Sequence, residues 1–222
     1  MIGAVLFDLD GTLADTAPDL GYALNLQRTA RGLLPLPISY LRKFASTGAR
    51  GLIKAGFNLE PQHDGYPSLH AEFLELYEAN LYRETQIFPG MEEVLEWLEA
   101  RDIPWGIVTN KHTRFTVPLV RQLNLDTRAR SVVSGDTCSQ PKPHPEPLFF
   151  ASRECAVQPE RCLYVGDDER DVQAGRAAGM RVAVARYGYL GTGRPPETWG
   201  GDVLIDAPTD LLSYLSRSQL AG

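Results

Sequence analysis

The sequence predicts an α/β protein, a doubly wound parallel sheet with an all-helical domain inserted near its start. Short apolar segments alternate with helical patterns over the second half of the chain, which is typical of parallel sheets. Residues 16–84, by contrast, contain four helical patterns and no clear strand. At 222 residues the chain is long enough for one domain with a small insertion. We therefore expect a core formed by residues 1–15 and 85–222, and a helical cap formed by residues 16–84.

The composition excludes several classes of protein. With 43% hydrophobic and 23% charged residues, it is that of an ordinary globular protein. The net charge is -6 and no dense basic cluster occurs, so nucleic acid is not expected as a partner. No apolar run approaches the roughly 20 residues that a membrane span needs, and the first residues lack the pattern of a secretory signal. We expect a cytoplasmic protein with no membrane contact.

The strands and helices of the core can be placed from their apolar patterns. The first strand is predicted at residues 1–7, and five later ones at 105–110, 131–135, 162–166, 182–186 and 203–205. Helices are predicted at 91–100, 114–123, 145–156 and 171–178, the last ending before Gly179. The Gly/Pro-rich segment 187–196 is typical of a loop. Cys138, Cys155 and Cys162 lack the paired spacing of zinc sites, which favours buried, inert thiols.

Two apolar stripes mark helices within the insertion. They comprise Leu20, Ala23, Leu24 and Gln27 behind Pro18, and Leu69, Phe73, Leu76, Tyr77 and Leu81. Both stripes are interpreted as packing surfaces rather than as a ligand surface. An insertion directly behind the first strand would lie over the carboxyl ends of the sheet, where open α/β folds bind ligands. We expect it to act as a lid.

Polar residues lie at the ends of the first two predicted strands. Asp8 and Asp10 end the first strand and precede Gly11, which allows a sharp turn. Thr109 and Asn110 end the second strand and offer a hydroxyl and an amide to an oxyanion. Each group alone has an ordinary structural explanation, as a solvated loop or a polar strand end.

Two further polar groups occur later in the chain. Lys142 lies between prolines whose φ is locked. Asp167, Asp168 and Asp171 follow the strand at 162–166 and precede a helix, where acids also serve as caps. The carboxyl ends of parallel strands share one edge of a sheet, so these groups are expected to converge.

In chain order the pattern is Asp-x-Asp-Gly-Thr from residue 8, Thr-Asn from residue 109, a lysine at 142 and Gly-Asp-x-x-x-Asp from residue 166. This pattern resembles the haloacid dehalogenase superfamily, over essentially the whole chain and including the helical cap of one subgroup. The resemblance implies a Rossmann-like core and a Mg²⁺-dependent phosphatase acting on a small phosphomonoester. His144 departs from the pattern, since relatives often have an acid there.

The resemblance also assigns roles, and these agree with the demands of phosphoryl transfer. Asp8 would be the nucleophile, Asp10 the acid and base, and Lys142 the fixed ammonium that neutralises charge. Mg²⁺ would be held by Asp8, the backbone carbonyl of Asp10, and Asp167. Thr109 and Asn110 would hold phosphoryl oxygens.

Three more residues are expected to support this site. Thr12 would secure the loop that carries Asp10. Asp171 would accept a hydrogen bond from Lys142 or from a metal-bound water, and Asp168 would be an outer carboxylate or merely exposed.

Other activities within the same pattern can be weighed on single residues. Dehalogenases of the superfamily lack the second aspartate, which is present here as Asp10. Sugar-phosphate mutases carry a histidine ten residues beyond it, where this sequence has Leu20. A non-catalytic protein that binds phospho-ligands in the same pocket could dispense with Asp10. Phosphatase is therefore the preferred interpretation.

The substrate is expected to depend on the cap. Arg50 lies beside Gly48 in a segment interpreted as a loop between cap helices, where a guanidinium could bind a carboxylate. The chain resembles the branch containing phosphoglycolate phosphatases and, more closely, the N-acetylmuramic acid 6-phosphate phosphatases of bacterial cell-wall recycling. This similarity includes Gly48-Ala49-Arg50, Val108-Thr109-Asn110-Lys111, Gly166-Asp167-Asp168-Glu169-Arg170-Asp171 and Arg186-Tyr187-Gly188-Tyr189. Both substrates carry a carboxylate, and a monomer or weak homodimer is expected.

Overall fold

The main sheet of the protein, seen in a computed structural model that describes residues 1–220, is parallel and six-stranded. Numbered in chain order, its strands are β1 (Ala4–Phe7), β4 (Trp105–Val108), β5 (Ser131–Val133), β6 (Cys162–Gly166), β7 (Arg181–Ala185) and β8 (Val203–Ile205). Every one of them was predicted to within three residues at either end. The α/β fold class is thereby confirmed.

The strand order is β5-β4-β1-β6-β7-β8, which places β1 in the middle. Val5 of β1 pairs with Trp105 on one side and with Leu163 on the other. The chain thus builds the sheet outward from β1 in both directions. Such a reversal of strand order opens a crevice at the carboxyl ends of the strands, which is where doubly wound folds bind ligands.

Helices of the core cover the sheet. They are α5 (Met91–Glu99), α6 (Thr113–Gln122), α7 (Glu146–Glu154), α8 (Glu169–Ala177) and α9 (Asp210–Leu220). Helix α8 is capped by the Asp168 carboxylate, which accepts from the N–H of Arg170, and it begins two residues before its predicted start. The chain leaves it through Gly179 at a φ of 73°, as the sequence predicted.

The insertion consists of four helices joined by turns and loops. Its helices are α1 (Ala17–Ala30), α2 (Ile38–Ala45), α3 (Gly48–Phe57) and α4 (Tyr66–Ala79). The predicted stripes are buried between them, except that Leu76 is only partly buried. Gln27 on α1 also ties the bundle together, donating to the Leu69 carbonyl on α4 at 2.8 Å.

A short antiparallel pair joins the two ends of the insertion. Strands β2 (Ala14–Asp15) and β3 (Gln86–Ile87) were not predicted, because two residues carry no readable periodicity. The domain division itself stays a prediction. We use core for residues 1–15 and 85–222 and cap for residues 16–84.

The cysteines differ in their environment. Cys155 and Cys162 are buried, and burial raises the pKa of their thiols to about 11 and about 12. Cys138 is only partly buried, which corrects the expectation for that residue. Within residues 1–220, no helix combines the length and apolar character that crossing a membrane requires.

Candidate active site

The polar ends of β1, β4 and β6 meet at one edge of the sheet and open into a single cavity of about 650 Å³. The following predicted site residues all line it: Asp8, Asp10, Gly48, Arg50, Thr109, Asn110, Lys142, Asp167, Asp168 and Asp171. Core residues form its floor, and residues of the cap helices form the opposite wall.

Three carboxylates form the centre of the floor. Ligand oxygens of Asp8, Asp167 and Asp171 lie within 4.8 Å of one another. Burial raises the pKa of Asp8 to about 7, although the nearby Lys142 ammonium lowers it. Burial and the charges of Asp8 and Asp171 likewise raise the pKa of Asp167. The cluster is therefore rich in negative charge and favours a bound cation.

Lys142 is the ammonium of this cluster. Its Nζ lies 2.9 Å from Asp8 Oδ1 and 2.7 Å from Asp171 Oδ1, and it also donates to the Tyr164 hydroxyl at 2.7 Å. Burial opposes its charge, but Asp171 and Asp8 outweigh burial and raise its pKa. The lysine predicted from its proline-flanked segment is thus brought into the site as a fixed positive charge.

The donor set fits a hard divalent cation. It consists of carboxylate oxygens alone, which are the ligands that Mg²⁺ prefers. Asp171 has both oxygens engaged, one by Lys142 and the other by the N–H of Asp168 at 3.1 Å. Each carboxylate oxygen keeps a second lone pair, so Asp8, Asp167 and Asp171 can all still offer a ligand oxygen to an ion.

Asp10 turns its carboxylate toward two donors outside that cluster. The Thr16 hydroxyl and the Lys111 ammonium both donate to Oδ1, the latter at 2.8 Å. Burial works against the charge of Lys111, yet Asp10 and Tyr77 raise its pKa overall. The sequence offered Lys111 only as part of the Val-Thr-Asn-Lys motif, and its role was missed.

The loop that follows β1 holds the Asp167 side chain in place. Gly11 adopts a φ of 85°, and a Cβ there would lie 2.3 Å from Asp167 Oδ2. Thr12 donates to Asp167 Oδ1 at 3.0 Å, whereas the sequence led us to expect that it secures the Asp10 loop. The N–H of Tyr189, in the predicted 187–196 loop, donates to Asp167 Oδ2 at 2.7 Å. That loop therefore belongs to the site.

Thr109 and Asn110 differ in what they can do. Thr109 Oγ1 accepts from the N–H of Lys111 at 3.1 Å, which leaves its hydroxyl proton for an oxyanion. The Asn110 carboxamide instead bonds the Lys142 backbone on both sides, donating at 2.8 Å and accepting at 2.9 Å. Its side chain holds the lysine segment rather than projecting freely toward a phosphate.

Asp168 joins core and cap. Its carboxylate forms an ion pair with Arg170 at 2.8 Å and accepts a hydrogen bond from the Ser46 hydroxyl of the cap. Arg170 also donates to the Ser46 carbonyl at 2.7 Å. The alternative that Asp168 is merely exposed is wrong, and its role as an outer carboxylate of a metal site stays a prediction.

The cap wall corrects one expectation from the sequence. Gly48 begins helix α3 and has a φ of 59°, so Arg50 lies in the first turn of a helix and not in a loop. The Arg50 side chain is 67% exposed and lies 3.6 Å from Glu60. Arg50 therefore lines the cavity, but its guanidinium is not held in place by burial or by a short ion pair.

The cavity has further lining residues that the sequence did not reveal. His112 and Arg114 at the start of α6 line the cavity, and Arg114 adds positive charge, whereas burial, Arg114 and His112 lower the pKa of His70 on α4. Leu20, Phe73, Tyr77 and Phe115 line the cavity with apolar surface. Some residues of both predicted stripes therefore pack inside the cap and also line the cavity. Periodicity alone cannot tell a packing residue from one that lines a cavity.

Comparison with known proteins agrees with this geometry. The family model of haloacid dehalogenase-like hydrolases matches residues 5–185. The chain is 41% identical to an N-acetylmuramic acid 6-phosphate phosphatase of Pseudomonas putida, over 99% of this chain and 98% of that protein. It is also 41% identical to a phosphoglycolate phosphatase of Xanthomonas campestris pv. campestris, with 94% of each chain covered.

Solved structures resemble the fold as well. A predicted phosphoglycolate phosphatase from Haemophilus somnus superposes with a TM-score of 0.84 at 25% identity, covering 96% of this chain and 98% of that one.

Proposed function

The chain belongs to the haloacid dehalogenase-like hydrolases, and from that premise we propose that it is a Mg²⁺-dependent phosphatase of N-acetylmuramic acid 6-phosphate. The observation that carries the chemistry is the buried floor, where an aspartate nucleophile lies 2.9 Å from a fixed ammonium. The size and the lining residues of the cavity support this substrate over the alternative.

In the first step Asp8 attacks phosphorus and forms an aspartyl-phosphate. The attack requires neutralisation of the negative charges of both partners, and Lys142 supplies one positive charge at a fixed position. Thr109 donates its hydroxyl to a phosphoryl oxygen. Burial of these groups strengthens each interaction, because little water competes for them.

Asp10 serves the leaving group in the first step and water in the second. It gives a proton to the departing sugar hydroxyl and then takes one from the water that hydrolyses the aspartyl-phosphate. Its carboxylate is oriented for this by Thr16 and Lys111. Attack of that water on the aspartyl-phosphate releases inorganic phosphate and regenerates the Asp8 carboxylate.

Mg²⁺ fits the oxygen donors of the floor. Asp8, Asp167 and the backbone carbonyl of Asp10 would hold it, with Thr12 and the Tyr189 N–H fixing Asp167. When bound, the ion supplies positive charge to the transferring phosphoryl group.

The cavity favours the larger of two carboxylate-bearing substrates. A volume of about 650 Å³ is in the range of sites that bind drug-sized ligands, and phosphoglycolate, a two-carbon acid phosphate, would leave most of it unfilled. The apolar wall suits a sugar ring and its acetyl group. Arg50 and Arg114, the two arginines of the lining contributed by α3 and α6, suit the lactyl carboxylate.

Both activities named among the relatives can be compared directly. With Mg²⁺ present, kcat/KM for N-acetylmuramic acid 6-phosphate should exceed that for phosphoglycolate by at least about a hundredfold, since remote contacts lower the barrier only for the ligand that fills the cavity. A higher kcat/KM for phosphoglycolate would replace the proposed substrate with the alternative. Binding of either ester without turnover would favour a non-catalytic phospho-ligand protein.

We also assign the protein to the cytoplasm, as a monomer or weak homodimer. Its partner would be the small phosphomonoester itself, with no role for nucleic acid or membrane. Size-exclusion chromatography with light scattering measures the oligomeric state.

A further inference from the structure

Lys111 is a buried cation whose effect on the reaction follows from its contacts. Its side chain is 6% exposed, and its Nζ lies 2.8 Å from Asp10 Oδ1. A buried ammonium is costly unless it has an acceptor, so Nζ is expected to stay hydrogen-bonded to Asp10 Oδ1 through substrate binding, while Asp10 Oδ2 carries the proton that is transferred.

The main chain of Lys111 is fixed to the core. Its N–H donates to Thr109 Oγ1 at 3.1 Å, and its carbonyl accepts from the Gly135 N–H at 2.8 Å and the Thr116 hydroxyl at 3.0 Å. The base of the side chain is therefore anchored. The position of the Lys111 ammonium then depends on the groups that surround Nζ.

The other neighbour of this ammonium belongs to the cap. Nζ lies 4.7 Å from the ring centroid of Tyr77 on α4, within the range of a cation–π contact. Tyr77 is itself held by Phe73 and Phe115, whose ring centroids lie 6.3 Å and 5.4 Å away. Lys111 thus spans from the reacting carboxylate to a fixed ring of the cap.

Asp10 has few groups that hold it in place. Thr16 donates to the same oxygen as Lys111, and its own N–H is fixed by the Tyr189 hydroxyl at 2.7 Å. With Lys111 removed, Thr16 would be the remaining side-chain donor to Asp10 among the described residues. The carboxylate could then turn about its own bonds.

We propose that Lys111 is a positioning residue that holds Asp10 toward the leaving group and, through the Tyr77 ring, makes this position depend on the cap. The proposal rests on the proposed function in one respect, that Asp10 transfers the proton. It does not depend on which sugar phosphate is the substrate.

Leaving-group dependence tests the proposal. Lys111→Met should lower kcat on a sugar 6-phosphate by about a hundredfold, with KM within about threefold, because a misplaced acid cannot protonate the departing alcohol. On p-nitrophenyl phosphate, whose leaving group needs little protonation, kcat should fall by less than about fivefold. Lys111→Arg should recover most of the sugar-phosphate rate.

The cap side is tested with a pair of variants. Tyr77→Phe keeps the ring and loses only the hydroxyl, so its rate on the sugar phosphate should clearly exceed that of Tyr77→Leu, which should lose about tenfold on the sugar phosphate and little on the aryl phosphate. Lys43→Met is the matched control, since Lys43 lies 5.2 Å from the Tyr40 ring on the cap and outside the cavity. It should change neither rate.

Several outcomes would overturn the proposal. Equal losses on both esters in a Lys111→Met protein with normal thermal unfolding would make Lys111 merely structural. If that variant is unstable, Lys111→Gln gives the same comparison. Equal damage from Tyr77→Phe and Tyr77→Leu would contradict the role of the ring. A poor rate on N-acetylmuramic acid 6-phosphate alone would remove only the proposed substrate, whereas wild-type protein inactive on every ester would overturn both proposals.

Discussion

The two ends of the cavity differ in how firmly their charges are held. At the phosphate end, Asp8 and Lys142 have side chains that are 12% and 3% exposed and lie 2.9 Å apart. At the cap end, Arg50 is 67% exposed and its ion pair with Glu60 spans 3.6 Å. Preorganised charge accelerates a reaction because nothing must reorganise in the transition state. Chemistry should therefore depend steeply on single core residues, and selectivity only gradually on cap residues.

The largest effect should come from the nucleophile. Asp8→Asn keeps the shape of the side chain but cannot attack phosphorus, so turnover should fall by at least about a thousandfold with folding intact. Steady-state rates and circular dichroism measure the two properties. Asp126→Asn, at an exposed position, is the control and should be fully active. Residual activity within tenfold of wild type would remove Asp8 from this role.

Loss of a metal ligand should be the next largest effect. Asp167→Asn should raise the Mg²⁺ concentration for half-activation by at least about tenfold. Thr12→Val removes one donor to Asp167 and should shift the same titration in the same direction by less. An unchanged Mg²⁺ titration for Asp167→Asn would contradict the proposed ligand set.

At the cap end the expected effect is smaller and selective. Arg50→Ala should lower kcat/KM for N-acetylmuramic acid 6-phosphate by about fivefold to tenfold, because an exposed guanidinium contributes less than a buried one. An aryl phosphate without a carboxylate should be hydrolysed almost as before. Lys54→Ala is a matched control, since Lys54 pairs with the same Glu60 but does not line the cavity. Similar losses on every substrate would make Arg50 structural.

The junction of core and cap should give the smallest effect. Ser46→Ala removes the hydroxyl donor to Asp168 but leaves the bond from Arg170 to the Ser46 carbonyl. KM should rise about twofold to fivefold with little change in kcat, since the contact between core and cap is weakened while the floor of the cavity is intact. A fall in kcat without a change in KM would show that the junction acts on the chemistry instead.

The same contrast explains what the sequence could predict. Asp8, Thr109 and Asp167 each follow a buried strand, and parallel strands bring their carboxyl ends together, so the phosphate end could be assembled from spacing. Lys111 was missed because the Val-Thr-Asn-Lys motif does not indicate which of its side chains points into the cavity. The Asn110 carboxamide was expected at the phosphate, yet it bonds the Lys142 backbone.

The cap end depends on packing that a pattern does not carry. Glycines at 48 and 51 disfavour a helix, and a loop was expected around Arg50, but α3 begins at Gly48 because its apolar face packs into the cap. His112 and Arg114 reach the cavity only through the placement of α6. Tertiary contacts here outweigh local propensity.

Asp8 is expected to carry the phosphoryl group between the two steps of the reaction. Acid quenching of a single turnover with substrate radiolabelled in its phosphoryl group, followed by peptide mapping, measures this directly. The label should appear on the peptide that contains Asp8, be absent in Asp8→Asn, and persist longer in Asp10→Asn, where no base activates the water. Full turnover with no covalent label at any time, or a label on another residue such as His144, would contradict the claim.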